Sequence, residues 1–489
     1  MAEIQDEHTY PIPSYAKGTR RALLINPPVY DAQYWARWSQ PAGLLRIAAL
    51  LGTKGYDLQF IDCMETNAQG LVPKRKRRVD GKDVTIKRDD IEKPLYDFGM
   101  PLETLRQRLD ECRDDPPHEV WITSVMTYWW QSTCDVVNLV RSAFPLATIL
   151  VGGIYPTLAP EHARENLPNA DVIFKGEISA ASDLPTDLSL YRRSPTYAIL
   201  TTSRGCPWDC VYCAARALNG GPKLRQRQAE DVVAEMEEKR VRFGIRRFGF
   251  YEDNALIAKD RHFERILEEV IERNSIRRGL QLYAPEGFET RLLTPDLLVK
   301  MRMAGFEKIH LPLETVKNDN NRKWNRRHSS VQSFEAALRA AVAAGFTERS
   351  EEINAFVLFG LPGEDIDDVV DSMLYAHATV GSIVPMLFTP VPGTQVFRQH
   401  ESYLRTEMGF DLHHLNGKFL PFLEYNRGRN PGLHASDYLE LEGLMAILNQ
   451  GKIFSRSVSI CDDRSPAADF RAVLLSEDYL SSRAYRRAV

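Results

Sequence analysis

Ser203-Arg-Gly-Cys-Pro-Trp-Asp-Cys-Val-Tyr-Cys213 sets three thiols, Cys206, Cys210 and Cys213, in a C-x3-C-x2-C spacing. A short β-like run, Tyr197-Ala-Ile-Leu-Thr-Thr202, precedes it, and a basic, helix-prone segment follows. Three thiolates this close together can converge on one metal centre, and soft sulfur ligands select iron–sulfur or zinc. A closed structural zinc site would take a fourth Cys or His at similar spacing, and none lies near. A [4Fe–4S] cluster on three cysteines leaves one iron open for a cofactor or substrate. The readings open at this point are such a cluster, a zinc knuckle, or unligated buried thiols.

Downstream, β-like runs recur at Arg247-Phe-Gly-Phe-Tyr251, Leu280-Gln-Leu-Tyr283, Lys308-Ile-His-Leu-Pro-Leu313, Ile353-Asn-Ala-Phe-Val-Leu-Phe359 and Ser382-Ile-Val-Pro-Met-Leu-Phe388. With residues 197–202 they make six, separated by helical periodicities such as 229–238 and 365–377. Six strand–helix units over 196–400 predict a partial (β/α)6 barrel, whose strand carboxyl ends face the active site. Those ends carry Tyr251-Glu252-Asp253-Asn254, Pro285-Glu-Gly-Phe-Glu-Thr-Arg291, Leu313-Glu314-Thr315, Gly360-Leu-Pro-Gly363-Glu364 and Thr389-Pro-Val-Pro-Gly-Thr394. Arg291 has the fork geometry to clamp a carboxylate. The basic run Arg322-Lys-Trp-Asn-Arg-Arg-His328 reads as a solvated helix face, or as a patch facing an anionic substrate or cofactor phosphate. Residues 401–489, with Phe419-Leu-Pro-Phe-Leu-Glu-Tyr425 and an amphipathic run over 438–448, predict a small helical cap over the open side. Its last ~25 residues, polar and arginine-rich, read as peripheral.

Upstream, Arg21-Ala-Leu-Leu-Ile-Asn-Pro-Pro28 is an apolar run stopped by Pro-Pro, as in a buried parallel strand. Further strands are expected at 57–62, 119–126, 148–153 and 171–175, with helices at 43–51, 102–113 and 133–143. The alternation predicts right-handed βαβ units in a doubly wound parallel sheet over 20–177. Its ligand would lie beyond the strand carboxyl ends, at the switch point. Those ends carry Asn26-Pro-Pro28 with the aromatic loop Tyr30, Tyr34, Trp35 and Trp38, then Ser124-Val-Met-Thr127-Tyr-Trp129-Trp130, then Gly152-Gly153-Ile-Tyr-Pro-Thr157. The insertion 65–100, with its run Pro73-Lys-Arg-Lys-Arg-Arg78, reads as a solvated loop or a phosphate-touching segment. Residues 178–195, small, polar and Pro-broken, read as the interdomain linker.

The cysteine spacing, with aromatic Tyr212 just before the last thiol, resembles that of the radical SAM superfamily. The resemblance implies that Cys206, Cys210 and Cys213 hold a [4Fe–4S] cluster whose open iron binds S-adenosylmethionine. An electron passed on from a flavodoxin or ferredoxin would cleave that cofactor to a 5′-deoxyadenosyl radical. Carried along the strands, it implies that Glu252 and Asp253 meet the cofactor's amino group, Glu314 its ribose, and Gly360 and Gly363 its adenine. The glycines of the family's Gly-Gly-Glu segment are absent before Glu252.

Ser124 and Gly152-Gly153 resemble the second and third fingerprints of the cobalamin-binding domain. Glycines there let a flat corrin or its nucleotide tail approach the backbone, and Ser124 or Thr127 would hydrogen-bond the tail. The first fingerprint, D-x-H-x-x-G, is absent, so no histidine is expected on cobalt, and Trp129 or Trp130 would floor the corrin. A degenerate domain that binds no cobalamin is the alternative. The expected architecture is thus α/β: an N-terminal doubly wound, cobalamin-binding-like parallel sheet, a partial (β/α)6 TIM-type radical SAM barrel, and a helical C-terminal cap. Members of this architecture include methylases of unactivated carbon or phosphorus. The implied activity is cobalamin-dependent methyl transfer to an unactivated carbon of a small-molecule biosynthetic intermediate. Cyclisation, rearrangement or oxidation without methyl transfer, and a non-catalytic sensor, are the alternatives.

The whole chain fits an enzyme of small molecules. At 489 residues, 26% charged and with a formal net charge of −4, it offers no bulk charge for nucleic acid or a membrane surface. No apolar run approaches the ~20 residues of a membrane span. The polar start Met-Ala-Glu-Ile-Gln-Asp-Glu is unlike a signal peptide. Seven cysteines, three of them clustered, make no disulfide framework in a chain this long. Cys63, Cys112, Cys134 and Cys461 read as small buried hydrophobes. A reducing cytoplasm is the expected compartment.

Overall fold

The computed structural model describes residues 2–34, 39–67, 71–273, 278–347, 350–409 and 411–451. Trp35, Trp38, Cys461 and the polar tail lie outside them. The first part of the chain runs β1 (Glu3–Gln5), β2 (Arg20–Asn26), α1 (Ala42–Thr53), β3 (Tyr56–Asp62), α2 (Leu102–Asp110), β4 (Glu119–Thr123), α3 (Trp130–Ala143), β5 (Thr148–Gly152) and β6 (Val172–Phe174). All six strands are parallel, in the order β1-β6-β5-β4-β2-β3. The order reverses between β2 and β4, and the crevice of this doubly wound sheet opens there. Ala22 and Leu24 pack with Leu44, Ala48 and Leu51 of α1 on one face. Leu23 and Ile25 pack with Val136, Val137 and Val140 of α3 on the other. A strand covered on both faces must be apolar at every position, which is why β2 reads as a continuous run. By contrast β1, only three residues long and half polar, carries no strand signal; its pairing along the edge strand β6 makes it one.

The second part runs β7 (Ala198–Leu200), α4 (Ala229–Phe243), β8 (Arg247–Phe250), α5 (Phe263–Glu272), β9 (Gln281–Tyr283), α6 (Pro295–Ala304), β10 (Ile309–Glu314), α7 (Val331–Ala343), β11 (Ile353–Phe359), α8 (Ile366–Thr379) and β12 (Ser382–Leu387). Its strands are parallel and in chain order, β7-β8-β9 and β10-β11-β12, with a parallel bridge between Leu282 and Phe306 at the junction. Rings of Phe250, Phe263, Phe288 and Phe306 fill the space behind the first three strands. Two helices follow, α9 (Gln395–Met408) and α10 (Ala435–Gly451). The side chain of Asn449 on α10 donates to the Ile383 carbonyl at 2.8 Å and accepts from its N–H at 2.7 Å. That satisfies the backbone of Ile383 on the open edge of β12, where it would otherwise be unpaired.

Three expectations change. The insertion 65–100 is not a loop but a set of antiparallel hairpins, pairing Tyr96–Phe98 with Val29–Asp31 and Lys74–Lys76, and Thr85–Arg88 with Ile91–Pro94. Part of its basic run is paired within it: Arg77 meets Asp97 at 2.9 Å and covers the Tyr30 ring at 3.5 Å, and Arg78 meets Asp83 at 2.8 Å. The segment 178–195 is no free spacer, because Ile178, Ala181 and Leu188 are buried. Finally, the two parts, read as separate domains, share a hydrophobic cluster, which continues from beneath α3 through Val211, Trp324, Leu361, Phe388 and Leu404.

Asp31 knots these parts together. Fully buried, it accepts from Trp129 Nε1 at 2.9 Å, Asn416 Nδ2 at 3.1 Å and Lys418 Nζ at 3.0 Å. Removing one partner of such a buried network leaves the others desolvated and unpaired. Asp31→Ala is expected to lower stability by about 3 kcal/mol in a denaturant titration; an unchanged midpoint would show that the knot carries no weight.

Candidate active site

The cysteine loop leaves β7 and is fixed from the end of β8. Both oxygens of Glu252 are engaged there, one accepting from Thr202 N–H at 2.7 Å and the other from Ser203 N–H and Oγ at 2.7 and 2.6 Å. Asp253 accepts from Gly205 N–H at 2.6 Å and from Asn219 Nδ2 at 2.9 Å. Gly205 has φ +93°, and a Cβ there would stand 2.1 Å from the Lys223 carbonyl, so only glycine fits. Further along, Val211 bonds to the Trp324 carbonyl, and Asn325 to that of Asp209. The expectation that Glu252 meets the cofactor's amino group is therefore corrected: its carboxylate braces the loop. Arg291 is likewise engaged, with Glu289 at 3.2 Å and the Trp208 ring at 5.1 Å.

Burial raises the Cys206 thiol to about 11 and Cys210 to about 12, and pushes Cys213 up as well. Without metal, all three are neutral thiols at pH 7, and ligation must drive the protons off. Their sulfur atoms do not all lie within 4.8 Å of one another. A single zinc with bonds of about 2.3 Å would draw them within about 4 Å, so the spacing suits a larger cluster. Cys213 and Glu286 keep accessible surface although protein surrounds both, so they face an interior space rather than bulk solvent. Glu286 forms no side-chain hydrogen bond or ion pair among the described residues, and burial, then Asp253, pushes its carboxyl up.

Glu314 ends β10 on a bulge and sits at φ +61°, a left-handed conformation that costs energy for a side chain of this kind. It meets Arg326 at 2.9 Å, and Arg326 also donates to Tyr212 Oη at 3.1 Å. Burial pushes the Glu314 carboxyl up, and Arg326 opposes that shift. So the basic run 322–328 is a solvated face only in part, with Arg322, Lys323, Asn325 and Arg327 exposed. Trp324 and Arg326 are buried, and His328 stacks on Trp208 at 4.7 Å.

Gly360 and Gly363 both have positive φ. A Cβ on Gly360 would meet Leu387 and Phe388, and one on Gly363 would meet the Lys323 ammonium group. Glu364 ties the turn to the C-terminal segment, accepting from Gly360 N–H and Tyr438 Oη, each at 2.7 Å.

Between the two halves lies a cavity of about 240 Å³. Gly152 and Gly153 line it, with Thr123, Trp121, Leu150 and Phe174 from the sheet and Arg204, Asn219 and Asp253 from the cysteine-loop side. Ser124, Thr127 and Trp129 do not line it. Ser124 Oγ pairs with Thr133 Oγ1 at 2.8 Å, Thr127 is buried, and Trp129 points to Asp31 and stacks near Tyr34. Trp130 donates to Asp411 at 3.0 Å. Gly153 is required by packing: with φ +109°, its Cβ would stand 2.5 Å from the Ser124 carbonyl. Sequence reading missed Arg46, Arg204, Glu286 and Arg326. The signal for Arg46 was an arginine inside the otherwise apolar stretch 43–51.

Two outcomes follow from this geometry. Anaerobic reconstitution is expected to load about four irons per chain and none in a variant with Cys206, Cys210 and Cys213 all changed to Ala; stoichiometric zinc instead would refute the cluster. Burial raises Glu364 from 4.5 to about 7. The folded protein therefore holds a proton that the unfolded chain releases, and this contribution, full below pH 4.5, is lost as pH rises through 7. Relative to Glu364→Gln, wild-type stability should fall by up to about 1.4 kcal/mol per pH unit across that window. A pH-independent difference in urea midpoint would contradict the assignment.

Residues 200–376 match the profile of the radical SAM superfamily. The cytidylyl-2-hydroxyethylphosphonate methyltransferase of Streptomyces wedmorensis is 21% identical, over 78% of this chain and 81% of its own length. Hopanoid C-3 methylase of Methylococcus capsulatus is 26% identical, over 47% of this chain and 43% of its own length. Among solved structures, the radical S-adenosylmethionine methyltransferase TsrM of Kitasatospora setae aligns with a TM-score of 0.57 at 14% identity, covering 79% of this chain and 77% of that one. A second structure of TsrM, with cobalamin and a [4Fe–4S] cluster bound, gives 0.56. At that identity the likeness is one of fold. A radical SAM domain carries a [4Fe–4S] cluster and S-adenosylmethionine, and the three thiols of the loop, not all within 4.8 Å of one another, fit that cluster. Residues 200–376 of this chain are a radical SAM domain.

Proposed function

We propose that this protein is a cobalamin-dependent radical SAM methyltransferase acting on an unactivated carbon of a small biosynthetic intermediate. One observation carries the reading: the cysteine loop and the carboxyl ends of β4 and β5 border the same cavity. A ligand of the doubly wound sheet would thus lie beside the cluster loop, within an open (β/α)6 barrel capped by α10. The phosphonate methyltransferase, similar over most of its length, supports it, as does the fold of TsrM, whose structure holds cobalamin and a cluster. When bound, the cluster supplies the electron that cleaves S-adenosylmethionine, and cobalamin supplies the transferable methyl group.

The chain's own residues position and shield. Cys206, Cys210 and Cys213 hold the cluster, and Glu252 and Asp253 keep their loop rigid. Glu286, free of partners and near Cys213 and Asp253, takes the role first given to Glu252 and accepts from the cofactor's ammonium group. Glu314, aimed by its bulge and steadied by Arg326, receives the ribose hydroxyls. Gly152 and Gly153 form the wall against the corrin's tail, and no histidine is assigned to cobalt. A flavodoxin or ferredoxin in the cytoplasm delivers the electron. No helix among the described residues is long and apolar enough to cross a membrane.

The test needs no identified substrate. Protein reconstituted anaerobically with iron and cobalamin is reduced with dithionite and given S-adenosylmethionine. Methyl transfer predicts S-adenosylhomocysteine in step with bound corrinoid, besides 5′-deoxyadenosine. Formation of 5′-deoxyadenosine alone, with corrinoid bound, would move the reading to radical chemistry without methyl transfer.

A further inference from the structure

Two arginines that line the cavity between the halves form no ion pair among the described residues. Arg46, from the middle of α1, is 4% exposed and lines it. One of its Nη atoms donates to the Thr201 carbonyl at 2.8 Å, while Nε is buried with no partner. Among the described residues Arg46 forms no ion pair; burial lowers it to about 10, which leaves it charged at neutral pH. Arg204, two residues before Cys206, lines the same cavity and, among the described residues, makes neither a side-chain hydrogen bond nor an ion pair. The acids nearby have other partners, Asp253 neutral ones only, so it adds a negative charge to the same cavity. Glu177 meets Arg225 at 2.8 Å, and Asp253 accepts from Gly205 and Asn219. Deeper in, Glu235 is held by Arg227 at 2.7 Å and Lys239 at 2.6 Å. Two guanidinium groups, one from each half of the protein, thus border a half-open space whose wall includes Trp121, Leu150 and Phe174 as well as the acids Glu177 and Asp253.

Guanidinium forks match phosphate oxygens, and a buried cation without a counter-ion is stabilised by an anion that supplies one. The cavity's volume of about 240 Å³ falls below the roughly 300–1,000 Å³ of pockets that enclose whole drug-sized ligands. It therefore suits a fragment of a large cofactor: an anionic group plus a flat ring against the apolar wall.

We propose that Arg46 and Arg204 form a phosphate site, and that its ligand is the phosphodiester of the cobalamin nucleotide tail. The identity of that ligand rests on the cobalamin reading above; the anion site rests on the arginines alone. Arg204 belongs to the cysteine loop, and Arg46 holds the carbonyl of Thr201 at the loop's start. An anion bridging them fastens the first half of the protein to the segment that carries the cluster, so the loop registers whether a complete corrinoid is present.

The test measures equilibrium binding of cobalamin, of cobinamide, which lacks the nucleotide and its phosphate, of α-ribazole phosphate and of inorganic phosphate. Trp121 lines the cavity, and its fluorescence reads occupancy. Wild-type protein is expected to prefer cobalamin over cobinamide by about tenfold or more, as for a charged hydrogen-bonded contact. Arg204→Gln, at a half-buried position, should keep the affinity for cobinamide, lose that preference, and bind α-ribazole phosphate correspondingly more weakly. Arg46→Gln should act in the same direction, and if it fails to fold, Arg204→Gln decides alone. A wild-type preference retained in Arg204→Gln overturns the anion site while leaving cobalamin binding intact. Arginine-dependent binding of phosphate or α-ribazole phosphate without binding of either corrinoid upholds the anion site and overturns the cobalamin reading.

Discussion

Two neighbouring carboxylates, Glu252 and Asp253, take up backbone N–H groups of Thr202, Ser203 and Gly205 at 2.6–2.7 Å, and the position of every cysteine depends on that grip. A loop between a buried strand and a short helix would otherwise leave these donors unpaired in a desolvated place. Charge-assisted bonds from carboxylates are stronger than water or a neutral acceptor could provide there. The acids sit at the end of β8, hydrogen-bonded alongside β7, so the rigidity of the parallel sheet passes directly to the thiols. Gly205, with its left-handed φ and its contact to Lys223, allows the chain to turn sharply enough for the grip to form.

Around this loop the interior is more ionic than an ordinary core. Glu314 and Arg326 pair beneath Tyr212, Glu235 gathers Arg227 and Lys239, and Glu364 closes the turn after β11. Buried pairs add little to stability when compared with apolar packing. What they do provide is direction. Each fixes a carboxylate or guanidinium with its remaining valences aimed at a particular space, and the strained φ of Glu314 shows that aim being kept at some cost. Arg46 and Arg204 stand apart from this pattern, for among the described residues neither forms an ion pair, although Glu177 and Asp253 line the same cavity.

The C-terminal segment is less a lid than a fastening. Asn449 completes the edge of β12, Asn416 and Lys418 reach Asp31, and Asp89 and Asp90 of the insertion meet the start of α10. The contacts of Asp31, Asp89 and Asp90 join residues more than three hundred positions apart, and none was visible in the sequence, where the insertion read as a solvated loop. Its strands are short, charged and exposed, so they lack the apolar alternation that marks a strand facing a core.

By itself the sequence determined the strands buried on both faces, their alternation with helices, and the three-thiol loop, because burial and metal ligation both demand particular residue types at particular spacings. It also placed Gly152, Gly153 and Asp253 at strand ends that the fold brings to one cavity. Only the tertiary structure decided which acid braces and which stays free: Glu252 and Glu286 are the same residue type at the ends of adjacent strands, and their roles differ solely by whether backbone N–H groups stand opposite. It likewise decided that Gly153, Gly360 and Gly363 answer to neighbouring protein, and that Arg46 and Arg204, 158 positions apart, share one space. A side chain's role depends on what the rest of the chain sets against it, and that pairing is long-range.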